Sequence, residues 1–489
     1  MKTLTDKLQD NLSEIKKLLP AEDILVFSFL SLDGSLPFAV VYADGLVNKE
    51  FLGSLTAKPL LLLSKKEKVP SLKKVKESIL FPELKEKQDF QSLTEEILDG
   101  NAVLFVDGLD TGIVVGAKAA PVRAVIEPPT GISVKGPREG FIEDVKTNMA
   151  LVRKRLKTPN LQFKMLKIGK RSNTNVALCF LDGIARKDVL EQIEKKLNAI
   201  ELDFVPDSSY VADLVAPRPH SIFQQLGQTE KPDVFAAKLA EGRVGILVDG
   251  SPVALTAPFF LTENFQSADD YFTSPVFATI LRFLRFAAVF VALLLPAFYV
   301  SSQLFKLQLL PLRLTLTIAS SIQGLPLSPS LEMFLVLFVL EVIKEASVRM
   351  PKYVGMAMSI VGALVLGETA VSAGFVSTPA IIVVAFSGIC LYTVPDFTET
   401  GSILRWIFLI VSGSFGPFGL VACIAFFLCY AVSSDAFGAP LLSPFAPLVK
   451  QDLKDSAVKY NLRSLKKRPK TIGSSNKTRL KENGKEETP

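Results

Sequence analysis

The sequence predicts an α/β soluble head of two tandemly related subdomains, then an all-α transmembrane helical bundle of four to six spans and a disordered basic tail. Three observations carry this. First, the chain changes character near residue 280: the part before it reads as soluble, whereas Phe286 to about Ser434 is apolar runs broken by Gly, Pro and a few charges. Second, the head repeats itself. Third, the stretch from Lys450 to Pro489 holds twelve Lys or Arg against five acids and almost no apolar periodicity. A positive mean hydropathy over 489 residues is itself a membrane signal. A large head joined to a set of spans points to transport, conduction or signal transfer at a membrane.

Residues 1–20 predict an amphipathic N-terminal helix. Leu4, Leu8, Leu12, Ile15 and Leu19 mark one face, and no uninterrupted apolar core of a secretory signal is present. The head is therefore expected in the cytoplasm.

Residues 21–127 and 159–280 are the two subdomains. Val41-Tyr42-Ala43-Asp44-Gly45 with its continuation to Leu52 aligns with Cys179-Phe180-Leu181-Asp182-Gly183 and its continuation to Leu190. Gly100 to Gly108 aligns with Gly242 to Gly250, and both later stretches end in Val-Asp-Gly. The offsets are 138 and 142 residues, close enough for one duplicated unit with small insertions. In each, an apolar strand ends at Asp-Gly and feeds a helix, Lys187 to Asn198 in the second copy. A later helix stops at Gly100 or Gly242, where glycine takes the left-handed cap. A hairpin follows, with Asp249-Gly250 between apolar runs. No phosphate-loop context surrounds these Asp-Gly pairs, so turn chemistry accounts for them.

Residues 128–158 form a connector. Gly136-Pro137-Arg138-Glu139-Gly140 cannot be helical throughout, so it predicts a rigid loop before a helix whose apolar face is Val145, Met149, Val152 and Leu156. Gly136, Pro137, Arg138, Glu139, Arg153 and Arg155 are its candidate contact residues, the basic end being either a solvated face or a clamp for acids on a neighbouring subunit.

Residues 281–434 predict the bundle. Phe286 to Leu304 is the first span, and Arg282 and Arg285 before it suit the cytoplasmic side. Glu332 to Ala346, Tyr353 to Val371, Val376 to Val394 and Ile403 to Ser433 are further candidates. The last is too long for one span and breaks within Ser412 to Gly419; Leu309 to Leu325, with Arg313 inside it, is a weaker, amphipathic or re-entrant segment. Basic flanks on both sides imply an even number of crossings. Gly355, Ser359, Ala363 and Gly367 fall on one helical stripe, a surface for close helix packing in lipid. Glu341–Lys344 and Glu345–Arg349 are spaced for local pairing. Either they are paired charges at a helix end, or Glu341 and Glu345 face a wet path and attract cations, with Glu368 a further candidate for pore or gating.

Residues 435–489 are the basic tail, expected near anionic lipid headgroups. A nucleic-acid role is not expected, since only Tyr460 interleaves aromatically. With four cysteines and the single His220, which sits in a loop, neither a disulfide framework nor a zinc site is expected. No nucleophile–base pair or acidic metal cluster can be assembled, so no enzyme, catalytic residue or cofactor is expected.

The connector closely resembles the signature of the A subunit of GerA-family spore germination receptors, in Gly136-Pro137-Arg138-Glu139-Gly140-Phe141, Glu143-Asp144 and Thr147-Asn148-Met149-Ala150-Leu151-Val152-Arg153-Lys154-Arg155. Glu345-Ala346-Ser347-Val348-Arg349-Met350-Pro351-Lys352 with Ser359 to Gly367, and Ser267-Ala268-Asp269-Asp270-Tyr271-Phe272, agree as well. The chain departs from the family pattern at Lys344, where arginine is usual, and at Glu368-Thr369, where Gln-Ala is usual. The first exchanges a guanidinium fork for an ammonium. The resemblance implies a multi-pass protein of the spore inner membrane with head and tail on the core side. It implies work with a multi-span B subunit and a lipoprotein C subunit, self-association into a homo-oligomer, and a germinant-gated cation pore. A membrane solute transporter, or a scaffold subunit of a signalling complex without its own pore, is the alternative.

Overall fold

Leu4, Leu8, Leu12, Ile15 and Leu19 are all buried; α1 (Leu8–Leu18) carries the middle three, Leu4 and Leu19 flank it, and together they cover one face of a five-stranded sheet. The computed structural model describes residues 2–32, 34, 36–62, 71–81, 83–119, 135–305, 311–349, 354, 360, 362 and 365–479. Its first sheet runs β1-β2-β4-β5-β3, with β1 (Ile24–Leu30), β2 (Pro37–Ala43), β3 (Leu84–Lys87), β4 (Ala102–Val106) and β5 (Gly112–Val115). All its pairings are antiparallel. Both faces are covered, so β2 and β4 are apolar at every position rather than at alternate ones. Ala39, Val41, Val103 and Phe105 meet α1 and α5 (Phe90–Leu98). Phe38, Val40, Leu104 and Val106 meet α2 (Lys49–Leu52), α3 (Lys58–Leu61) and α4 (Leu72–Ser78).

The second unit repeats this order: α6 (Val145–Arg155), β6 (Leu161–Ile168), β7 (Thr174–Leu181), α7 (Lys187–Asn198), α8 (Ser208–Val215), β8 (Gly227–Thr229), α9 (Pro232–Glu241), β9 (Val244–Val248) and β10 (Ala254–Ala257). Its sheet runs β6-β7-β9-β10-β8, the same sequence of neighbours. Phe38 pairs with Val106 in the first sheet, and Val176 with Val248 in the second. The α6 helix, assigned by sequence to a connector, occupies the place of α1: it packs with α9 on one sheet face, as α1 does with α5.

The duplication extends to single hydrogen bonds. The Asp107 carboxylate accepts the N–H of Leu8, at the first turn of α1, at 3.1 Å, while Gly108 N–H donates to Asp6. Asp249 accepts the N–H of Val145, at the first turn of α6, at 3.2 Å, and Gly250 N–H donates to Glu143. Asn11 bonds both backbone groups of Thr5, as Asn148 does those of Ile142. Each hairpin Asp-Gly thus closes a turn and also satisfies an orphan N–H at the start of a distant helix.

Beyond the head, α10 (Pro275–Phe305) runs outward. Its first turns carry Arg282 and Arg285; the apolar stretch from Phe286 is about 30 Å long at 1.5 Å per residue. The helices α11 (Leu312–Ile322), α12 (Pro329–Arg349), α13 (Thr378–Tyr392) and α14 (Thr398–Ser433) follow. Among the described residues, two helical segments are long and apolar enough to cross a membrane, Pro275–Phe305 and Pro395–Ser433, with Leu312–Ile322 and Thr378–Tyr392 shorter.

The 36 residues of α14 do not form one rod. Gly416 has φ 63° and ψ −152°, a conformation open in practice to glycine alone. The rings of Phe408 and Phe427 lie 5.7 Å apart, whereas a straight helix would separate them by about 28 Å. A Cβ at Gly419 would sit 3.2 Å from the Val411 carbonyl. The helix therefore folds back at Gly416 into two arms, 398–415 and 417–433. Both arms start or end at the head: Thr400 Oγ1 donates to Ile222 O at 2.9 Å, and Arg218 donates to Ser433 O at 3.0 Å.

The tail is not disordered over its described length, contrary to the expectation from composition. The hairpin β11 (Asp435–Ala436) and β12 (Ala439–Pro440) plants Phe437 in the core of the second sheet. Ile472 is buried with Phe260, Arg468 donates to Ala240 O, and Asp452 accepts the N–H groups of Lys470 and Thr471. Composition underestimated how many of these charges find backbone partners. Residues 480–489 lie outside the described residues.

Candidate functional site

Three clusters of charge mark the places where the parts of this chain meet. The first joins the two head units. Arg153 in the last turns of α6 is almost wholly buried and donates through Nε and Nη2 to Asp23 at 2.8 and 2.7 Å. It also donates to Thr158 O and Leu161 O, and its guanidinium lies 5.1 Å from the centre of the Phe163 ring. This planar, bidentate use is what arginine offers and lysine does not. Arg153 is thus engaged inside the chain. Lys154 and Arg155 both bind Glu139, at 3.0 and 2.8 Å, clasping the Gly136–Gly140 loop against α6. Burial alone would raise the Glu139 carboxyl, but these two cations hold it below its ordinary range. Gly136 has φ +104° and lies against the Phe272 ring where a Cβ would stand. Pro137 is half-buried and Arg138 exposed.

The second cluster joins head, bundle and tail. Asp270, in a 3-10 turn, is wholly buried and accepts from Arg282 Nε at 3.0 Å and from Arg285 Nη1 and Nη2 at 2.9 and 3.0 Å. The sequence offered the acidic block and the two arginines separately; the fold puts them in one contact. Arg282 also reaches the tail, bonding the carbonyls of Asp455 and Ser456. Lys459 lies 3.7 Å from the centre of the Tyr271 ring. Burial tends to raise Asp270, but the two arginines outweigh it and hold the carboxyl below its ordinary value. Asp455 goes the other way: burial raises it despite Lys459 and Arg282. Beside this block Arg243 pairs with Glu263, which Lys238 also binds at 3.0 Å. Burial raises Glu241, while Arg243 overrides burial to lower Glu263.

The third cluster lies between the helices of the bundle. Glu341 Oε1 accepts from Arg405 Nη2 at 2.6 Å and its Oε2 from Lys344 at 3.2 Å. Arg405, nearly buried, also donates to Ser387 Oγ at 3.1 Å, and Ser387 in turn donates to Ala292 O at 2.8 Å. One carboxylate therefore ties α12, α14, α13 and α10 together. The sequence reading missed Arg405, although a lone arginine inside the apolar run after Ile403 was a visible signal. Glu345 and Arg349 pair at 2.6 Å on the exposed side of α12, so Glu341 and Glu345 diverge in environment. Glu368 is exposed in a π turn, Val365–Thr369.

Gly355, Ser359 and Ala363 lie outside the described residues. Gly367 is exposed, with open space where a Cβ would point. Among the described residues of this region a close helix approach falls at Gly362, where a Cβ would stand 3.1 Å from Ile343 of α12. Among the described residues no group of three or more His, Cys, Asp or Glu is placed to hold a metal ion.

The model of the family described as Bacillus/Clostridium GerA spore germination protein matches residues 13–471. Spore germination protein KA of Bacillus subtilis (strain 168) is 32% identical, over 99% of this chain and 90% of that protein. The uncharacterized membrane protein YfkQ of the same organism is 32% identical, over 97% of this chain and 93% of its own length. The crystal structure of the N-terminal domain of the A subunit of the Bacillus megaterium spore germinant receptor GerK3 is 29% identical. It covers 53% of this chain and 96% of that domain, with a TM-score of 0.42.

Proposed function

Because this chain belongs to the Bacillus/Clostridium GerA family of spore germination proteins, we propose that it is the A subunit of a nutrient-responsive germinant receptor. On this reading it works with a multi-span B subunit and a lipoprotein C subunit in the spore inner membrane. Several copies assemble, and the assembly conducts monovalent cations when nutrient is bound.

The observation that carries the membrane part is the path of the helices between two ends. At the far end from the head, Phe305 meets Gly416 and Ser330 meets Gly413. At the near end, Leu391 meets Gly401, and Lys344 bonds Ser402. Outward legs 286–305 and 398–415 and returning legs 329–349, 378–392 and 417–433 make five. Arg349 ends at the near end and Thr378 begins at the far end, so the chain crosses once more between these two points and the count is six. At 1.5 Å per residue these legs measure about 22–31 Å, near the thickness of a hydrocarbon core. Six crossings put head and tail on one side, the side that Arg282 and Arg285 favour.

Within one chain the carboxylate of Glu341 is already neutralised by Arg405 and Lys344. A conducting path therefore belongs between chains, and gating requires two packings of the bundle that nutrient binding biases. That same pairing favours the second reading, a scaffold subunit without its own pore.

The test is cation release from spores after nutrient addition. A spore lacking this chain should lose release and germination toward its nutrient, identified from a panel of amino acids and sugars. Glu341→Gln combined with Glu345→Gln should slow or abolish release; normal efflux and germination would remove both residues from the mechanism. Electrically silent assemblies reconstituted with all partners would leave the scaffold reading.

A further inference from the structure

At the far end of the bundle a carboxylate is buried without a basic partner among the described residues. Glu332, near the start of α12, is 1% exposed and makes no ion pair with any described residue. Its one hydrogen bond comes from the backbone N–H of Ser377, where α13 begins. Met333, next to it in the chain, and Val376, next to Ser377, belong to one buried apolar cluster with Val300, Leu337 and Ala380.

Close by are buried polar atoms without a well-formed hydrogen bond. The Tyr299 hydroxyl, on a residue 6% exposed, makes no hydrogen bond of good geometry, although the Ser377 and Gln303 side chains lie within reach and Glu332 is in the same neighbourhood. The Gln303 amide, one turn along α10, is closed to solvent at both its oxygen and its nitrogen and makes no hydrogen bond of good geometry either. Burying such groups without good hydrogen bonds is costly, and burying a lone carboxylate costs more. Capping of α13 does not require them, because Ser377 caps that helix with its own side chain, accepting from Ala380 N–H at 3.3 Å.

We infer that the Glu332 carboxylate, the Tyr299 hydroxyl and the Gln303 amide oxygen form a binding site for a monovalent cation between α10, α12 and α13. Hard oxygen donors suit an alkali cation, and the single carboxylate matches one positive charge. A calcium site would gather more acid, and softer metals would recruit imidazole or thiolate. The site stands apart from Glu341, and an ion bound there need not be a permeant one, so the inference goes beyond the conduction reading and does not depend on it.

The test uses the purified full-length chain in lipid nanodiscs and radioactive 22Na+ or 86Rb+ in a scintillation proximity assay. Wild type should bind the ion saturably, with displacement by NaCl or KCl and none by N-methylglucamine chloride at equal ionic strength. Glu332→Gln keeps an oxygen for the Ser377 N–H yet should weaken binding at least tenfold; Tyr299→Phe should weaken it severalfold. Thermal stability of wild type should rise with Na+ or K+ over N-methylglucamine, a rise that Glu332→Gln abolishes. Absence of displaceable binding in wild type, or undiminished binding in Glu332→Gln, overturns the proposal. So does a stability loss in Glu332→Gln that is the same in every salt, which would make Glu332 a helix cap alone. Should Glu332→Gln fail to fold, Tyr299→Phe and Gln303→Leu carry the same comparison: weakened binding supports the site, unchanged binding overturns it.

Discussion

Replacing Asp270 with asparagine should uncouple the head from the bundle. The substitution preserves shape while removing the charge that two arginines share. Arg282 is fully buried and Arg285 only 15% exposed, so water cannot take over the lost acceptor. The nearest remaining acid is Asp455, 3.6 Å from Arg282, and burial pushes that carboxyl toward its neutral form. Removing one partner from a buried pair typically costs 3–5 kcal/mol, mostly from the stranded charge. For a unit of 150–250 residues, that is a fall in melting temperature of roughly 6–20 °C.

The assay is a thermal scan of the purified chain, read by size-exclusion retention and by the fluorescence of Trp406. That residue is the chain's only tryptophan and stacks edge-on with Phe334 within the bundle. The pH dependence carries a sign. Asp270 is held below its ordinary value, so its contribution is complete above about pH 4. It disappears as the pH falls through the lower, folded value. Wild type should thus lose stability on acidification more steeply than Asp270→Asn does. Asp455→Asn should cost less, because burial already works against the charge of that carboxylate. A melting temperature for Asp270→Asn within about 2 °C of wild type, with an unchanged acid profile, would refute the reasoning.

Three further outcomes follow from the same structure. Asp23→Asn should destabilise the head by about 3–5 kcal/mol, and pairing it with Arg153→Met should cost less than the two changes summed; a double-mutant cycle measures the coupling. Gly416→Ala places a side chain both in a glycine-only backbone region and against the Phe305 ring, so several-fold lower yield of folded protein and a lower melting temperature are expected. Phe437→Ala should cost about 3–5 kcal/mol, because the ring fills the core of the second sheet.

Much of the head was legible in the sequence because its signals are local. The stripe from Leu4 to Leu19 needs only the helical period to be read, and the duplication needs only the 138- and 142-residue offsets. The interruption near Gly416 announced itself as glycine, proline and serine inside an apolar run. Local signals of this kind report what each segment prefers by itself.

Tertiary structure alone decided which segments meet. That Asp107 and Asp249 cap α1 and α6, about a hundred residues earlier in the chain, depends on where the sheet delivers each hairpin. That Arg405 neutralises Glu341, and that a tail judged disordered anchors Phe437 in the second core, depends likewise on the path of the chain. A charge on a sequence is free to face water or a partner. Only burial, which makes an unpaired charge untenable, selects between the two, and burial is a property of the assembled molecule.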